Sequence, residues 1–287
     1  MTGREVIAVD IGGTKLAAAI VDEHGAIAAR ALVATPATHD AEELFTALAA
    51  VIDSLPADRR AGADACGVGS GGPMRDGGAL VSPVNIPAWR DFPLRARIGA
   101  LTGLPTRVEN DAKALALGEG WLGAAVGERN YLAMVVSTGI GGGIVCDGRL
   151  LDGADGNAGH VGHVIVEPDG RLCGCGAYGC AEAEASGTAI RAITGQAPEL
   201  ASPEMIERCG RLVGRAVASV ANLLDLPLAV AAGSVALGFG TPFFAAAQAE
   251  IDARCRLDFS RGTRFIPGGH GADGPIIGAA AVALRAR

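Results

Sequence analysis

The sequence predicts an α/β protein made of two similar halves, and three observations support this class. A short apolar run, a glycine-rich turn and a second apolar run occur near residue 12 and again near residue 140. Each pair of runs predicts a β-hairpin at the head of one half. Helical periodicity follows in both halves, as in the stretch 41–55. No low-complexity linker separates the halves, so we expect two domains around a cleft, joined by a hinge.

Length and composition fit two globular domains. The chain has 287 residues, of which 49% are apolar and 19% charged, and this is ordinary usage for folded domains of about 150 residues each. No apolar run approaches the roughly 18 residues of a membrane span, and the N-terminal residues lack a signal-peptide pattern. We therefore expect a cytoplasmic protein with no membrane partner. A net charge of −7 without a basic stretch argues against a nucleic-acid partner.

The first half is predicted to begin with antiparallel strands, because short apolar runs alternate there with glycine turns. A helix follows, with apolar residues at a spacing of three to four and Asp40 as its N-cap. The elements predicted in order are strands at 5–10, 15–21 and 26–33, a helix at 41–55, a strand near 65–68, a proline-rich surface loop at 81–94, a helix at 92–101, a strand at 106–109 and a helix at 112–122.

The second half repeats the hairpin and then becomes mostly helical. Between its hairpin and its first helix lies a stretch rich in Gly, Cys and His. The elements predicted in order are strands at 131–136 and 144–146, the Gly, Cys and His stretch at 152–181, helices at 183–193 and 203–224, a strand at 228–232, and helices at 243–253 and 276–286.

The segment 10–15, with the sequence DIGGTK, is the first candidate phosphate-binding turn. Glycines let a backbone turn approach an anion and present N–H groups to it. Asp10, at the strand end, could hold Mg²⁺, and Thr14 could donate to a phosphate oxygen. The motif is neither a P-loop nor a dinucleotide fingerprint, because a strand follows where a helix would begin. Taken alone, it is equally compatible with a plain hairpin turn.

The segment 137–143, with the sequence STGIGGG, repeats this chemistry of hydroxyls and glycines in the second half. One such turn carries little information. Two turns, each at the head of a half, favour a polyphosphate held from both sides over two plain hairpins.

Asn110 and Asp111 lie where a predicted short strand passes into a helix. Either residue is a good N-cap, because its short side chain can accept from the first backbone N–H groups. Asp111 is also a candidate general base, which would take the proton of a hydroxyl that attacks a phosphoryl group. The spacing in the sequence leaves both interpretations open.

His163, Cys173, Cys175 and Cys180 form the pattern H-x9-C-x-C-x4-C, interleaved with glycines. Thiolates and imidazole are the ligands of tetrahedral zinc, and four of them close its shell. We therefore predict a structural zinc ion rather than disulfides. His160, three residues before His163, is a candidate metal ligand, substrate contact or surface residue, but we do not assign it to zinc because four ligands already close the shell.

These motifs resemble the ROK (repressor, open reading frame, kinase) family of sugar kinases and sugar-responsive repressors. The resemblance runs from Val6 to Leu284 and is most specific over 159–186, where G-H-x-G-H, C-x-C-G-x-x-G-C-x-E and A-S follow in order. It implies an actin-like, ribonuclease-H-like ATPase fold. It also implies a transferase of carbohydrate metabolism that uses ATP and Mg²⁺. Such a protein is expected to be cytoplasmic and to form a homodimer.

The domain boundaries follow from this pattern. We expect a smaller domain at 1–110, with a C-terminal helix at about 275–287 that packs back on it. The larger domain is expected at 111–274 and carries the zinc loop.

The resemblance also implies roles for individual residues. It implies that Asp10, Gly12, Gly13, Thr14 and Lys15 form the first phosphate turn, that Thr138, Gly139, Gly141 and Gly142 form the second, and that Gly233 and Ser234 lie near the adenosine. It implies sugar contacts by Gly72, Asn85, Asn110, Asp111, His163 and Glu182, with Asp111 as the catalytic base and His163 also bound to zinc.

His160 departs from the family pattern, in which a Glu usually contacts sugar hydroxyls near the anomeric end. Bacterial N-acetylmannosamine kinases are similar to this chain in carrying His there. A carboxylate accepts two hydrogen bonds, whereas a neutral imidazole donates one and accepts one. The sequence therefore predicts a glucokinase-like hexose 6-kinase, with N-acetylmannosamine as the alternative substrate.

Three other functions remain as alternatives. A sugar-sensing repressor would need a helix-turn-helix module of roughly 60–80 residues and basic charge, whereas the first kinase strand begins at residue 5. A non-catalytic sugar-binding protein is disfavoured by the presence of both Asp10 and Asp111. A kinase that uses polyphosphate is disfavoured because few Lys and Arg residues lie near the two turns.

Overall fold

Two five-stranded sheets form the framework of the protein in a computed structural model, which describes residues 3–284. The strands are β1 (Glu5–Ile11), β2 (Lys15–Asp22), β3 (Ile27–Ala34), β4 (Ala65–Ser70), β5 (Met74–Arg75), β6 (Leu80–Val81), β7 (Thr106–Asn110), β8 (Tyr131–Val136), β9 (Ile140–Cys146), β10 (Arg149–Leu150), β11 (Leu228–Ala232) and β12 (Arg264–Pro267). The helices are α1 (Ala41–Asp53), α2 (Ala57–Gly62), α3 (Leu94–Thr102), α4 (Asp111–Leu122), α5 (Ala181–Ala185), α6 (Gly187–Thr194), α7 (Pro203–Leu224), α8 (Ser234–Phe239), α9 (Thr241–Arg254) and α10 (Gly274–Leu284).

The two large sheets have the same topology. The first has the order β3-β2-β1-β4-β7 and the second the order β10-β9-β8-β11-β12. In each sheet the first three strands pair antiparallel, and the last two join them in parallel. This repetition confirms the predicted α/β class with two similar halves, each headed by a hairpin.

The chain divides into two compact units. The first contains the described residues within Met1–Leu122, Asp152–Ala158 and Asp273–Arg287, and the second contains Gly123–Leu151 and Gly159–Ala272. The segment 152–158 therefore belongs to the first unit, although the chain on either side of it belongs to the second.

The first unit buries both faces of its sheet. In β1, Ile7 and Val9 belong to the apolar cluster that includes α1, whereas Val6 and Ala8 belong to the cluster that includes α10. Successive side chains of a strand point to opposite faces, so a strand covered by helices on both sides is apolar throughout. This explains the unbroken apolar run of β1 from Val6 to Val9, which the buried carboxyl group of Asp10 follows.

Helix α4 belongs to the first unit, whereas the predicted boundary at residue 110 put it in the second. The physical reason is its close packing with α10. A Cβ added at Gly118 would lie 3.1 Å from the Cα of Gly278, so the two helices approach closely through glycines. The C-terminal helix was predicted to pack on the N-terminal domain, and α10 does lie on β1 and β4. Residues 1–2 and 285–287 of the predicted ranges lie outside the described residues.

The second unit has one large apolar cluster. It joins the sheet to α7 and α9 and includes Val213 and Val217 of α7, Phe243 and Ile251 of α9, and Met134 of β8. Helix α7 shows the predicted helical period. Its N-cap Ser202 accepts from the N–H of Met205.

Two local predictions need correction. The stretch 82–93 has no helix or strand, as its prolines predicted, but it is not only a surface loop, because Trp89 is fully buried, stacks on Phe92 with ring centroids 4.5 Å apart and donates to the carbonyl of Ala41. The helix predicted over 183–193 is two helices. Ser186 has extended backbone angles and caps α6 through the N–H of Ala189, which ends α5 before it.

Within residues 3–284 we find no helix with the length and apolar character that crossing a membrane requires.

Candidate active site

The first group of predicted site residues lies where β1, β4 and β7 end. These strands run parallel, and their register places Asp10 beside Gly69 and Gly69 beside Glu109. The carboxyl ends of parallel strands are where ligands bind in open α/β sheets. The fold thus brings Asp10 of the first turn to the same sheet edge as Asn110, the last residue of β7.

Asp10 is a buried carboxyl group with 6% of its surface exposed. Burial, followed by the negative charge of Asp111, raises its pKa from 3.8 to about 6, against the opposing charges of Lys15 and Arg30. A desolvated carboxyl group that also feels a second negative charge favours a bound cation. Oxygen ligands of this type fit Mg²⁺, so Asp10 is suited to hold it directly or through water.

The first glycine turn is closed by backbone hydrogen bonds. The N–H of Gly12 donates to the carbonyl of Lys15 at 3.0 Å, and the hydroxyl of Thr35 donates to the carbonyl of Gly12 at 2.7 Å. The N–H of Thr35 donates to the carbonyl of Thr14. Thr35, directly after β3, therefore supports the turn at two points. Gly13, Thr14 and Lys15 are exposed, as a ligand-binding turn requires.

Gly13 lies against Asn85. The sequence motifs assigned Gly13 to the phosphate and Asn85 to the sugar, so this contact brings the two predicted sites together. A Cβ at Gly13 would lie 2.8 Å from the Cβ and 3.1 Å from the carbonyl oxygen of Asn85, so only glycine fits. The N–H of Val84 donates to the carbonyl of Gly72 at 3.2 Å, which brings the loop of Gly72 and Pro73 to the same place. The first turn and the predicted sugar residues Gly72 and Asn85 are therefore neighbours.

Asn110 and Asp111 both cap α4. The Oδ1 atom of Asn110 accepts from the N–H groups of Ala112 at 3.1 Å and Lys113 at 3.3 Å, and that of Asp111 accepts from Ala112 at 2.8 Å. The capping interpretation is thus correct. It is compatible with the base interpretation, because Asp111 is exposed and each carboxylate oxygen has more than one lone pair.

The second glycine turn and Glu182 both belong to the second unit, where they lie against each other. The N–H of Ser137 donates to the carbonyl of Gly139 at 2.9 Å, and the N–H of Ile140 donates to Oε2 of Glu182 at 2.9 Å. A Cβ at Gly139 would lie 2.6 Å from the same oxygen. The carboxylate of Glu182 therefore contacts the turn that the sequence assigned to phosphate.

Two helix starts complete this turn. The N–H groups of Gly187 and Thr188 donate to the carbonyls of Ser137 at 2.7 Å and Thr138 at 3.1 Å. The hydroxyls of Ser137 and Ser234 lie 3.0 Å apart. Ser234 begins α8 directly after Gly233. The predicted adenosine loop is thus a neighbour of the second turn.

Strand β9, which contains the predicted site residues Gly141 and Gly142, contacts the segment 159–163, which contains His160 and His163. A Cβ at Gly142 would lie 2.7 Å from Val161 and 3.2 Å from the carbonyl of Gly159. Gly141 lies in the same strand, paired with Val135. His160 is exposed, and its ring lies parallel to that of His163 with centroids 6.2 Å apart.

His163, Cys173, Cys175 and Cys180 come together as the spacing predicted. Their four ligand atoms all lie within 4.8 Å of one another. The sulfurs of Cys175 and Cys180 are 3.7 Å apart, and that of Cys173 is 3.7 Å from Nδ1 of His163. Zn–S bonds of about 2.3 Å at a tetrahedral angle place two sulfurs about 3.8 Å apart. The cluster therefore fits zinc, and the sulfurs are too far apart for a disulfide.

Some neighbours of the site were not predicted from the sequence. Asn157 accepts from the N–H of Met74 and donates to its carbonyl, both at 3.0 Å. Thr188 contacts the second turn through its hydroxyl as well as its N–H. A lone Asn in a glycine-rich stretch and a Thr at a helix start are both common in loops, so neither gave a usable signal.

Comparisons with known proteins match this architecture. The model of the ROK family matches residues 6–286. An N-acetylmannosamine kinase of Escherichia fergusonii is 39% identical over 251 residues, which cover 82% of this chain and 84% of that protein.

Two solved structures are similar over nearly the whole chain. The ROK hexokinase from Thermus thermophilus has a TM-score of 0.83 and 32% identity, with 97% of each chain covered. The ROK family glucokinase from Streptomyces griseus, in complex with glucose and AMPPNP, has a TM-score of 0.82 and 30% identity, with 97% of this chain and 99% of that one covered. The predicted actin-like ATPase fold is thereby confirmed, and the chain belongs to the ROK family.

Proposed function

We propose that this protein is an ATP-dependent kinase that transfers the γ-phosphoryl group to the 6-hydroxyl of a hexose. The observation that carries the proposal is the pair Asp10 and Asp111 at the carboxyl ends of β1 and β7, beside the turn at Gly12. Phosphoryl transfer needs a cation held near the phosphates and a base for the attacking hydroxyl. One buried and one exposed carboxylate suit these two tasks.

In this mechanism Asp111 accepts the proton of the 6-hydroxyl as its oxygen attacks the γ-phosphorus. The bond to the oxygen between the β- and γ-phosphorus breaks, and ADP leaves. Asn110 orients the hydroxyl, and its bonds to Ala112 and Lys113 fix its own side chain. Mg²⁺, when bound near Asp10, neutralises the charge on the phosphate oxygens.

The glycine turns supply the other phosphate contacts. Gly13 and Thr14 offer backbone N–H groups, Thr14 also offers a hydroxyl and Lys15 an ammonium group, and Gly12 closes the turn through its own N–H. At the second turn Thr138 offers a hydroxyl, and Gly139, Gly141 and Gly142 let the backbone approach a phosphate. Gly233 and Ser234 lie toward the adenosine. The contact between Ser137 and Ser234 supports this grouping.

The zinc ligands act on the sugar indirectly. Zinc bound to Cys173, Cys175 and Cys180 would fix the imidazole of His163, whose other ring nitrogen can contact a hydroxyl. Glu182 follows Cys180 by two residues, so the same loop also fixes this carboxylate. Zinc supplies no open position for chemistry when all four ligands are bound.

N-acetylmannosamine is the favoured sugar, and glucose is the second candidate. The relative at 39% identity is named N-acetylmannosamine kinase, whereas the glucokinase that binds glucose is 30% identical. His160 supports the amino sugar, because one donor and one acceptor match the carbonyl and N–H of an acetamido group. Gly72 and Asn85 complete the proposed sugar contacts.

A substrate panel tests the proposal. ADP release is measured with ATP, Mg²⁺ and glucose, mannose, fructose, N-acetylglucosamine or N-acetylmannosamine. We expect turnover with at least one hexose and the highest kcat/KM with N-acetylmannosamine. A higher value for glucose would reverse the order of the two sugars. No ADP release above the sugar-free rate with any of them would contradict the kinase assignment.

We further propose that the protein acts in the cytoplasm as a homodimer, by analogy with its family.

A further inference from the structure

Lys113 is a fully buried lysine whose ammonium group has three oxygen partners. Its Nζ atom lies 3.2 Å from Oε1 of Glu109 and 3.2 Å from Oδ1 of Asp152, and it donates to the carbonyl of Gly156 at 2.9 Å. A buried ammonium group is costly unless it is paired and hydrogen-bonded. The three partners are therefore expected to be held together with it.

Two of these partners belong to the segment 152–158, which we name the crossing segment. This segment belongs to the first unit, whereas the residues on either side of it, Leu151 and Gly159, belong to the second unit. Asn157 holds its far end, through two hydrogen bonds to the backbone of Met74. Lys113 and Asn157 thus attach the crossing segment to the first unit at separate places.

The third partner connects Lys113 to the catalytic turn. Oε1 of Glu109 binds the ammonium group and also accepts from the N–H of Asn110 at 3.0 Å. The Oδ1 atom of Asn110 accepts in turn from the N–H of Lys113 at 3.3 Å. That second bond comes from the backbone N–H of Lys113, so the lysine side chain acts on the backbone just before Asp111 through Glu109.

We propose that Lys113 is a positioning residue for the kinase reaction. It fixes the turn that carries Asp111, and it fixes the crossing segment, which ends two residues before His160. Because the lysine is completely buried, it touches no substrate and acts only through these partners. The inference rests on the proposed function, since the groups that it positions are those assigned there to the sugar.

Steady-state kinetics test this role with Lys113→Met, Asp152→Asn, the double variant and a matched control. Arg60→Met is the control, because Arg60 is a basic side chain of the same unit that also binds one carboxylate, Asp53, and one carbonyl, Leu55. A misplacement of about 1 Å can cost about 100-fold in rate. We expect Lys113→Met to lower kcat/KM for the sugar by about 10- to 100-fold and to leave the KM for ATP within about twofold.

The double variant tests the route through the crossing segment. We expect Asp152→Asn, which removes the negative charge facing Lys113, to raise the KM for the sugar. The double variant should be no worse than Lys113→Met, because both changes break the same ion pair. Arg60→Met should keep wild-type constants. A Lys113→Met protein with a lower Tm but wild-type kcat and KM values would overturn the proposal. If that protein does not fold, Asp152→Asn decides, since its side chain is 30% exposed and wild-type kinetics there would also overturn the proposal.

Hydrogen exchange separates this inference from the kinase assignment, because it needs no substrate. We expect faster exchange in peptides covering 152–160 and 106–113 of the Lys113→Met or Asp152→Asn protein, and unchanged exchange there in Arg60→Met. Unchanged exchange in all variants would overturn the role of Lys113, whatever the activity. Faster exchange in a protein that phosphorylates no sugar would support the attachment by Lys113 and contradict only the proposed function.

Discussion

Asp10 and Asp111 lie against the same glycine, because a Cβ added at Gly69 would be 3.9 Å from Oδ1 of Asp10 and 3.7 Å from the Cα of Asp111. Burial and then the charge of Asp111 raise the pKa of Asp10 to about 6. In the metal-free protein this pair is therefore electrostatically unfavourable at neutral pH. Under the proposed function, the cation bound near Asp10 relieves that repulsion.

The first prediction concerns pH and stability without metal. Because the pKa of Asp10 is raised in the folded state, the folded protein binds the proton more tightly, and stability is lost as pH rises from below 3.8 to above about 6. The titration of Asp10 lowers the free energy of unfolding by about 3 kcal/mol over this pH range. We expect Asp10→Asn to abolish this pH dependence, so that the variant gains stability relative to wild type as pH rises. Denaturant unfolding in EDTA measures this, and parallel pH curves for the two proteins would contradict it.

The second prediction concerns the contact between Gly13 and Asn85. A Cβ at Gly13 would approach both the side chain and the backbone of Asn85 too closely, so Gly13→Ala must shift that loop. We expect KM for ATP and for the sugar to rise at least about tenfold, as misplacement in an active site can cost more. Gly62→Ala is the control, since no atom lies within 4 Å of its added Cβ. Equal kinetics for the two variants would show that the contact is unimportant.

Zinc content gives the third prediction. We expect the purified protein to hold about one zinc ion per chain, because four protein ligands close one tetrahedral shell. Cys175 is exposed, so Cys175→Ser removes a ligand with little loss of packing, and it should lower both zinc content and Tm. Cys146→Ser, outside the cluster, should keep the zinc. Metal analysis checks this, and full zinc occupancy in Cys175→Ser would argue against the ligand set.

His160 is the subject of the fourth prediction. The change His160→Glu replaces one donor and one acceptor by acceptors only, which suits hydroxyls better than an acetamido group. We expect the ratio of kcat/KM for N-acetylmannosamine to that for glucose to fall at least about tenfold, as the loss of a hydrogen bond at a specific site allows. The matched control is His24→Glu, at an exposed turn of the first unit. An unchanged ratio would remove His160 from sugar selection.

Much of the fold was predictable because its signals are local. The hairpins near residues 12 and 140 follow from apolar runs and glycine turns, and Asp40 caps α1 as its position before an apolar period predicted. The break at Ser186 was missed, because a serine inside an alanine-rich stretch is compatible with either a continuing helix or a new cap.

The unpredicted part of the site depends on contacts between distant residues. Lys113 meets partners 39 and 43 positions away, and Asn157 meets a backbone 83 positions away. Trp89 is buried against a carbonyl 48 positions away, which turned an expected surface loop into core. The cluster of His163 with Cys173, Cys175 and Cys180 was predictable from spacing, because its three cysteines lie within eight residues. A lysine inside the apolar stretch of α4 was the one visible sign of the Lys113 contacts.

The most direct test of the central claim is the product formed by wild type and by Asp111→Asn. The asparagine keeps the oxygen that accepts from Ala112, so α4 keeps its cap and the sugar should bind as before. With ATP, Mg²⁺ and N-acetylmannosamine or glucose, NMR of the wild-type reaction should show phosphate on the 6-oxygen, and kcat of the variant should fall by about 10²- to 10⁴-fold. Phosphate at another position, or a near-normal kcat in Asp111→Asn at wild-type Tm, would contradict the account.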